Sequence, residues 1–98
     1  MNRFERTLRE TVPTLVVFMH AGEQDAVEVK YLTEELKGKY GDRLHIVRAD
    51  GSHNGEIKMK YKLEEYPTWI LFKENQELMR EAGNKKLSDL CDMVERAL

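Results

Sequence analysis

Tyr66-Pro67-Thr68-Trp69-Ile70-Leu71-Phe72-Lys73 decides the fold: a proline preceded by an aromatic residue opens an unbroken apolar run. Proline is tolerated at the first residue of a strand but not in its middle, and the run from Thr68 to Phe72 suits a strand covered on both faces. A strand is therefore predicted over 68–73. Glu74-Asn75-Gln76 has the length and polarity of a hairpin loop, and a second strand is predicted over 77–82. The pair forms an antiparallel hairpin.

Working outward from this hairpin, Thr14-Leu15-Val16-Val17-Phe18-Met19 is the other run apolar enough for a strand buried on both faces (14–19), and Leu44-His45-Ile46-Val47-Arg48-Ala49 gives a third strand (44–49). Between them Ala26, Val29, Leu32, Leu36 and Tyr40 recur at helical spacing, so a helix is predicted over 25–39, with Gly38 and Gly41 as its stop. Phe4, Leu8 and Val12 point to a helix over 2–10 that ends before Pro13. A short helix over 55–62 turns Ile57 and Tyr61 inward. The last helix, 85–97, carries Leu87, Leu90, Cys91, Val94 and Leu98 on one stripe and is capped by Asn84. Strands alternating with helices, then a hairpin, then a helix, make one α/β domain over 1–98: a four-stranded mixed sheet with helices on both faces.

Composition narrows the function classes. The 98 residues are 41% hydrophobic and 35% charged with a net charge of -2, so neither nucleic acid nor an anionic membrane is an expected partner. No apolar run approaches the ~20 residues that span a bilayer, and Met1-Asn2-Arg3-Phe4-Glu5-Arg6 lacks the apolar core of a signal peptide. A cytoplasmic protein is expected. Cys91, the single cysteine, excludes an internal disulfide and a multi-cysteine metal site; its place on the helical stripe makes it a small core hydrophobe before it is a reactive thiol. Asp50-Gly51-Ser52-His53-Asn54-Gly55 imitates the first half of a calcium loop, but Tyr61 stands where the bidentate glutamate belongs. His20, His45 and His53 lack ligand spacing, so neither a metal nor a cofactor is expected. Lys58, Lys60 and Lys62 alternate around the short helix and read as a solvated face, and Trp69 reads as core.

The element order, with Val12-Pro13-Thr14-Leu15-Val16-Val17-Phe18 as first core strand, Tyr66-Pro67-Thr68 opening an apolar strand and Ala82-Gly83 before the last helix, resembles the thioredoxin fold from Pro13 to Leu98. That resemblance implies a three-layer α/β/α arrangement in which the 44–49 strand lies parallel beside 14–19, the 68–73 strand runs antiparallel on its other side, and 77–82 forms the edge. It also implies a cis bond before Pro67.

The departures from the family are specific. Its redox-active members begin the first core helix with two cysteines two residues apart, and the matching positions here are Glu23-Gln24-Asp25-Ala26. Its buried acid corresponds to Val17, and its active-site tryptophan to Met19 or His20. A carboxylate and a methyl group provide neither a helix-stabilised thiolate nor a resolving thiol, so dithiol catalysis is not expected. Glu23, Asp25 and Glu28 suit the positive end of the helix as simple capping acids. The groove that the resemblance implies, drawn around His20, Glu23, Gln24, Asp25, Ala26, Tyr66 and Pro67, leaves backbone free to pair with an extended peptide. The expected function is a non-catalytic module binding a protein or extended peptide. The alternatives are a redox protein of single-cysteine or glutathione-linked chemistry with a role in cell redox homeostasis, which needs an exposed Cys91, and a structural subunit that pairs through an edge strand or helix face.

Overall fold

The computed structural model describes residues 11–20, 25–51 and 55–98. The two runs with unbroken apolar centres become the two inner strands, β1 (Thr14–Met19) and β3 (Thr68–Lys73). They pair antiparallel with Val17 opposite Trp69. β2 (His45–Asp50) lies parallel to β1 on its other side, with Thr14 opposite His45, and β4 (Gln76–Ala82) pairs antiparallel with β3 at the far edge. The order β2-β1-β3-β4 is the mixed sheet expected from the sequence.

Side chains alternate across a strand, so each inner strand supplies both cores. Leu15, Val17, Trp69 and Leu71 face α1 (Asp25–Tyr40) and α3 (Leu87–Glu95), which bring Val29, Leu32, Leu36 and Tyr40, and Leu90, Met93 and Val94. Val16, Phe18, Ile70 and Phe72 face the other way, onto Tyr61 and Leu63, with Ile57 of α2 (Gly55–Lys60) packed beside them. Helices on both faces of the sheet make three layers.

Several boundaries differ from the sequence reading, each for a local reason. The connection between β3 and β4 is two residues, not three: Glu74 and Asn75 both take positive φ, 51° and 66°, and Gln76 already pairs with Lys73. A bulge follows, because Phe72 pairs with Glu77 and Leu71 with Met79, leaving Leu78 as the extra, exposed residue. Gly38 lies inside α1, and Gly41, at φ +53°, supplies the left-handed residue after its end. β2 begins at His45, with Leu44 buried just before it. α2 ends at Lys60 instead of 62. α3 begins at Leu87, and Asn84 is not its cap: the Asp89 carboxylate accepts the Lys86 backbone N–H at 3.1 Å. Met93 of that helix and Ala97, past its end at Glu95, are buried whereas Leu98 is exposed. The helix expected over 2–10 lies outside the described residues.

Tyr40 ties α1 to α3. Its ring is buried and its hydroxyl donates to Glu95 Oε1 at 2.9 Å, with the Cys91 carbonyl oxygen 3.5 Å away. Burial, then the acceptor Glu95, raises the phenol well above its ordinary value near 10. A raised folded-state pKa means that the folded protein keeps a proton the unfolded chain has lost, so this contribution is intact below pH 10 and declines as pH rises beyond it. Tyr40→Phe is expected to lower the unfolding free energy by about 0.5–1.5 kcal/mol at neutral pH in urea titrations, and to narrow its deficit above pH 10. A deficit that stays constant or widens there would contradict the assignment.

Candidate functional site

The topology gathers three chain segments at one end of the sheet. β1 and β3 are antiparallel neighbours with Phe18 opposite Thr68, so His20, just past β1, meets Tyr66-Pro67, just before β3. β2 runs parallel to β1 with Asp50 opposite Met19, so Gly51 arrives at the same place. Its N–H donates to the Met19 carbonyl at 3.1 Å. The Tyr66 hydroxyl donates to the Gly51 carbonyl at 2.9 Å, and the Tyr66 ring meets His20 edge to face with centroids 4.3 Å apart.

Gly51 is buried and has no room for a side chain. A Cβ there would lie 2.8 Å from Leu63 Cδ1 and 2.9 Å from Tyr66 Cε1. Only glycine lets the Tyr66 ring come this close.

The segment before β3 is held from both sides. The Tyr66–Pro67 peptide bond is cis, and the Pro67 carbonyl accepts the Gly83 N–H at 2.8 Å, with Gly83 at φ +88°. The Thr68 hydroxyl donates to the Glu65 carbonyl. Among the described residues nothing bonds the backbone N–H or C=O of Tyr66 itself. Tyr66 lines a cleft of about 410 Å³ together with Met19, His20 and Pro67 and the charged Lys58, Glu64 and Glu65. An anchored, half-buried aromatic residue with an unpaired backbone donor and acceptor can take a further extended strand.

Of the residues singled out from sequence, His20, Tyr66 and Pro67 come together here. Asp25 opens α1 and Ala26 is half-buried in its first turn; Glu23, Gln24 and the Asp25 side chain lie outside the described residues. Gly51, Glu64, Glu65 and Lys58 were not singled out as site residues. Glu64 and Glu65 abut the Tyr66-Pro67 step and could have been found by adjacency. Gly51 could not, since its role follows from the β1–β2 register. Cys91 is partly buried on α3 and packs against the core cluster of that face. Among the described residues no cluster of three His, Cys, Asp or Glu side chains could hold a metal, and no helix is long and apolar enough to cross a membrane.

Gly51→Ala is expected to cost about 1–3 kcal/mol in denaturant unfolding and to move the amide resonances of His20 and Tyr66. Gly55→Ala, where an added Cβ meets nothing within 4 Å, is the control and should shift stability little. Equal effects of the two changes would refute the close-approach argument.

Comparison with known proteins agrees with this geometry. The family model described as Thioredoxin matches residues 3–96. The chain is 30% identical over 67 residues to Thioredoxin Y, chloroplastic, of Oryza sativa subsp. japonica, a match covering 68% of this chain and 40% of that protein. It is 32% identical over 65 residues to the thioredoxin of Bacillus subtilis (strain 168), covering 66% of this chain and 62% of that one. In both cases the match spans less than two thirds of the relative. Among solved structures, a mutant thioredoxin from Halobacterium salinarum NRC-1 superposes with a TM-score of 0.87 at 15% identity, covering 99% of this chain and 84% of that one. The thioredoxin of Fasciola hepatica does so with a TM-score of 0.84 at 18% identity, covering 97% and 91%.

Proposed function

This chain belongs to the thioredoxin family, and from that premise we propose that it binds an extended protein segment at the Tyr66-Pro67 cleft and does not catalyse dithiol exchange. The observation that carries the reading is the unpaired backbone of Tyr66, presented at the cleft by a side chain anchored to Gly51. An incoming segment that pairs with both groups adds a short antiparallel or parallel rung without disturbing the sheet. Pre-anchoring keeps the ordering cost on the ligand side alone.

Exchange chemistry needs a thiolate and a second thiol to resolve the mixed disulfide. The chain has one cysteine, and it lies on α3 against the core, on the sheet face that α1 and α3 cover. The site residues come from the strand ends instead. The names of the relatives favour a second reading, a redox role through Cys91 working alone or with a partner's thiol. A cytoplasmic location is part of the same proposal.

Reduction of insulin by dithiothreitol, followed as turbidity, separates the two. Wild-type protein and Cys91→Ser are both expected to leave the rate at the uncatalysed background. Turnover by the wild type that vanishes in Cys91→Ser would overturn the non-catalytic reading and make Cys91 the reactive group.

A further inference from the structure

β2 is an outer strand of the sheet, so one side of its backbone faces away from β1. Which residues face outward follows from two bonds: the His45 N–H donates to the Pro13 carbonyl and the Gly51 N–H to the Met19 carbonyl. Residues that bond a neighbouring strand alternate with residues that do not. Positions 45, 47, 49 and 51 therefore turn inward, and Ile46 and Arg48 present both N–H and C=O to the open edge. Among the described residues nothing bonds these groups. The opposite edge is guarded: the bulge at Leu78 interrupts β4, which hinders pairing with another chain. β2 has no bulge, no proline and no lysine.

Beside the start of β2, Leu44 and Ile46 wall a groove of about 560 Å³ that also holds Lys37 and Asp42, a cation and an anion just where α1 ends. Lys37, Asp42 and Arg48 are exposed, and none has an ion-pair partner among the described residues. An antiparallel strand joining this edge must set its own outward residues opposite Ile46 and Arg48. When that strand is β2 of a second copy, the charges choose the register. With Arg48 on the two-fold axis, two guanidinium groups meet. With Ala49 on the axis, only the latter half of β2 overlaps. With Val47 on the axis the strands overlap along their length, and Ile46 stands opposite Arg48 of the second copy and Leu44 opposite its Asp50. Opposed side chains share a face. The second copy's Arg48 and Asp50 then enter the groove that holds Asp42 and Lys37, and symmetry repeats the exchange on the other side.

We propose that a second copy of this chain occupies the β2 edge, through antiparallel β2–β2 pairing with Val47 on the two-fold axis. A six-residue edge covers much less than the roughly 1,200–2,000 Å² of a stable interface, so the association is weak and concentration-dependent. In sedimentation of the full chain the mean mass is expected to rise from one chain toward two between about 10 and 500 μM. Arg48→Glu should weaken association about tenfold or more, and Arg48→Glu/Asp42→Lys should restore it to within about threefold. Unchanged Trp69 emission verifies that each variant is folded. The register is read by cross-linking in the Cys91→Ser background. Val47→Cys sets two thiols at a non-hydrogen-bonded antiparallel pair, where Cα atoms about 4.5 Å apart suit a disulfide. Oxidised glutathione, taking up the two electrons and two protons, should convert this variant to covalent dimer several-fold faster than Ala49→Cys. A mass that stays at one chain, as when another segment of this chain covers the edge, would overturn the proposal. So would unchanged association of Arg48→Glu, or faster cross-linking of Ala49→Cys than of Val47→Cys.

Discussion

The antiparallel pairing of β1 with β3 is the contact on which the other elements depend. Leu15 to Phe18 and Trp69 to Leu71 are all at 0% exposure, so both faces of this central ribbon are apolar and neither can be left to water. Full burial of one large apolar side chain is worth about 1.5–3 kcal/mol. That demand recruits α1 and α3 to one face and the Ile57–Leu63 region to the other. The same pairing sends the end of β1 and the start of β3 to one end of the sheet, and the parallel β2 delivers Gly51 there too. The cleft is a product of the core's topology, not an addition to it.

The departures at the family's redox positions make physical sense as a group. The resemblance matches Val17 to the position where redox-active members hold a buried acid, and here it lies in the core cluster, opposite Trp69. A carboxyl at that depth is useful only as a proton acceptor for a nearby thiol; without the thiol it would carry a desolvation cost and nothing to offset it. A valine that packs is the stable alternative. Tyr66 marks the opposite tendency, since its polar end is kept and given a fixed partner in the Gly51 carbonyl.

The parts of the fold legible in the sequence were those written in periodicity. Runs apolar on every residue gave β1 and β3, and the stripe Val29, Leu32, Leu36 and Tyr40 gave α1, because burial on two faces or one leaves a direct pattern. Ends were less legible. The burial of Met93 and Ala97 in place of Leu98 follows from α3 stopping at Glu95, and the bulge at Leu78 from a tight two-residue turn, neither of which a hydrophobic pattern encodes. Tyr66-Pro67 and His20 were legible as a site because proline before an apolar strand is rare and positional. Gly51 was not, since its place depends on segments that are distant in sequence and adjacent only once the strands are in register.

Trp69 carries a consequence of a different kind. It is the chain's single tryptophan, it is wholly buried in the central ribbon, and its indole N–H has no hydrogen-bond partner among the described residues. An indole in such a dry, apolar setting emits at short wavelength until the sheet itself opens. It belongs to the face covered by α1 and α3, whereas Tyr66 packs on the other. The molecule therefore contains its own optical gauge of global unfolding.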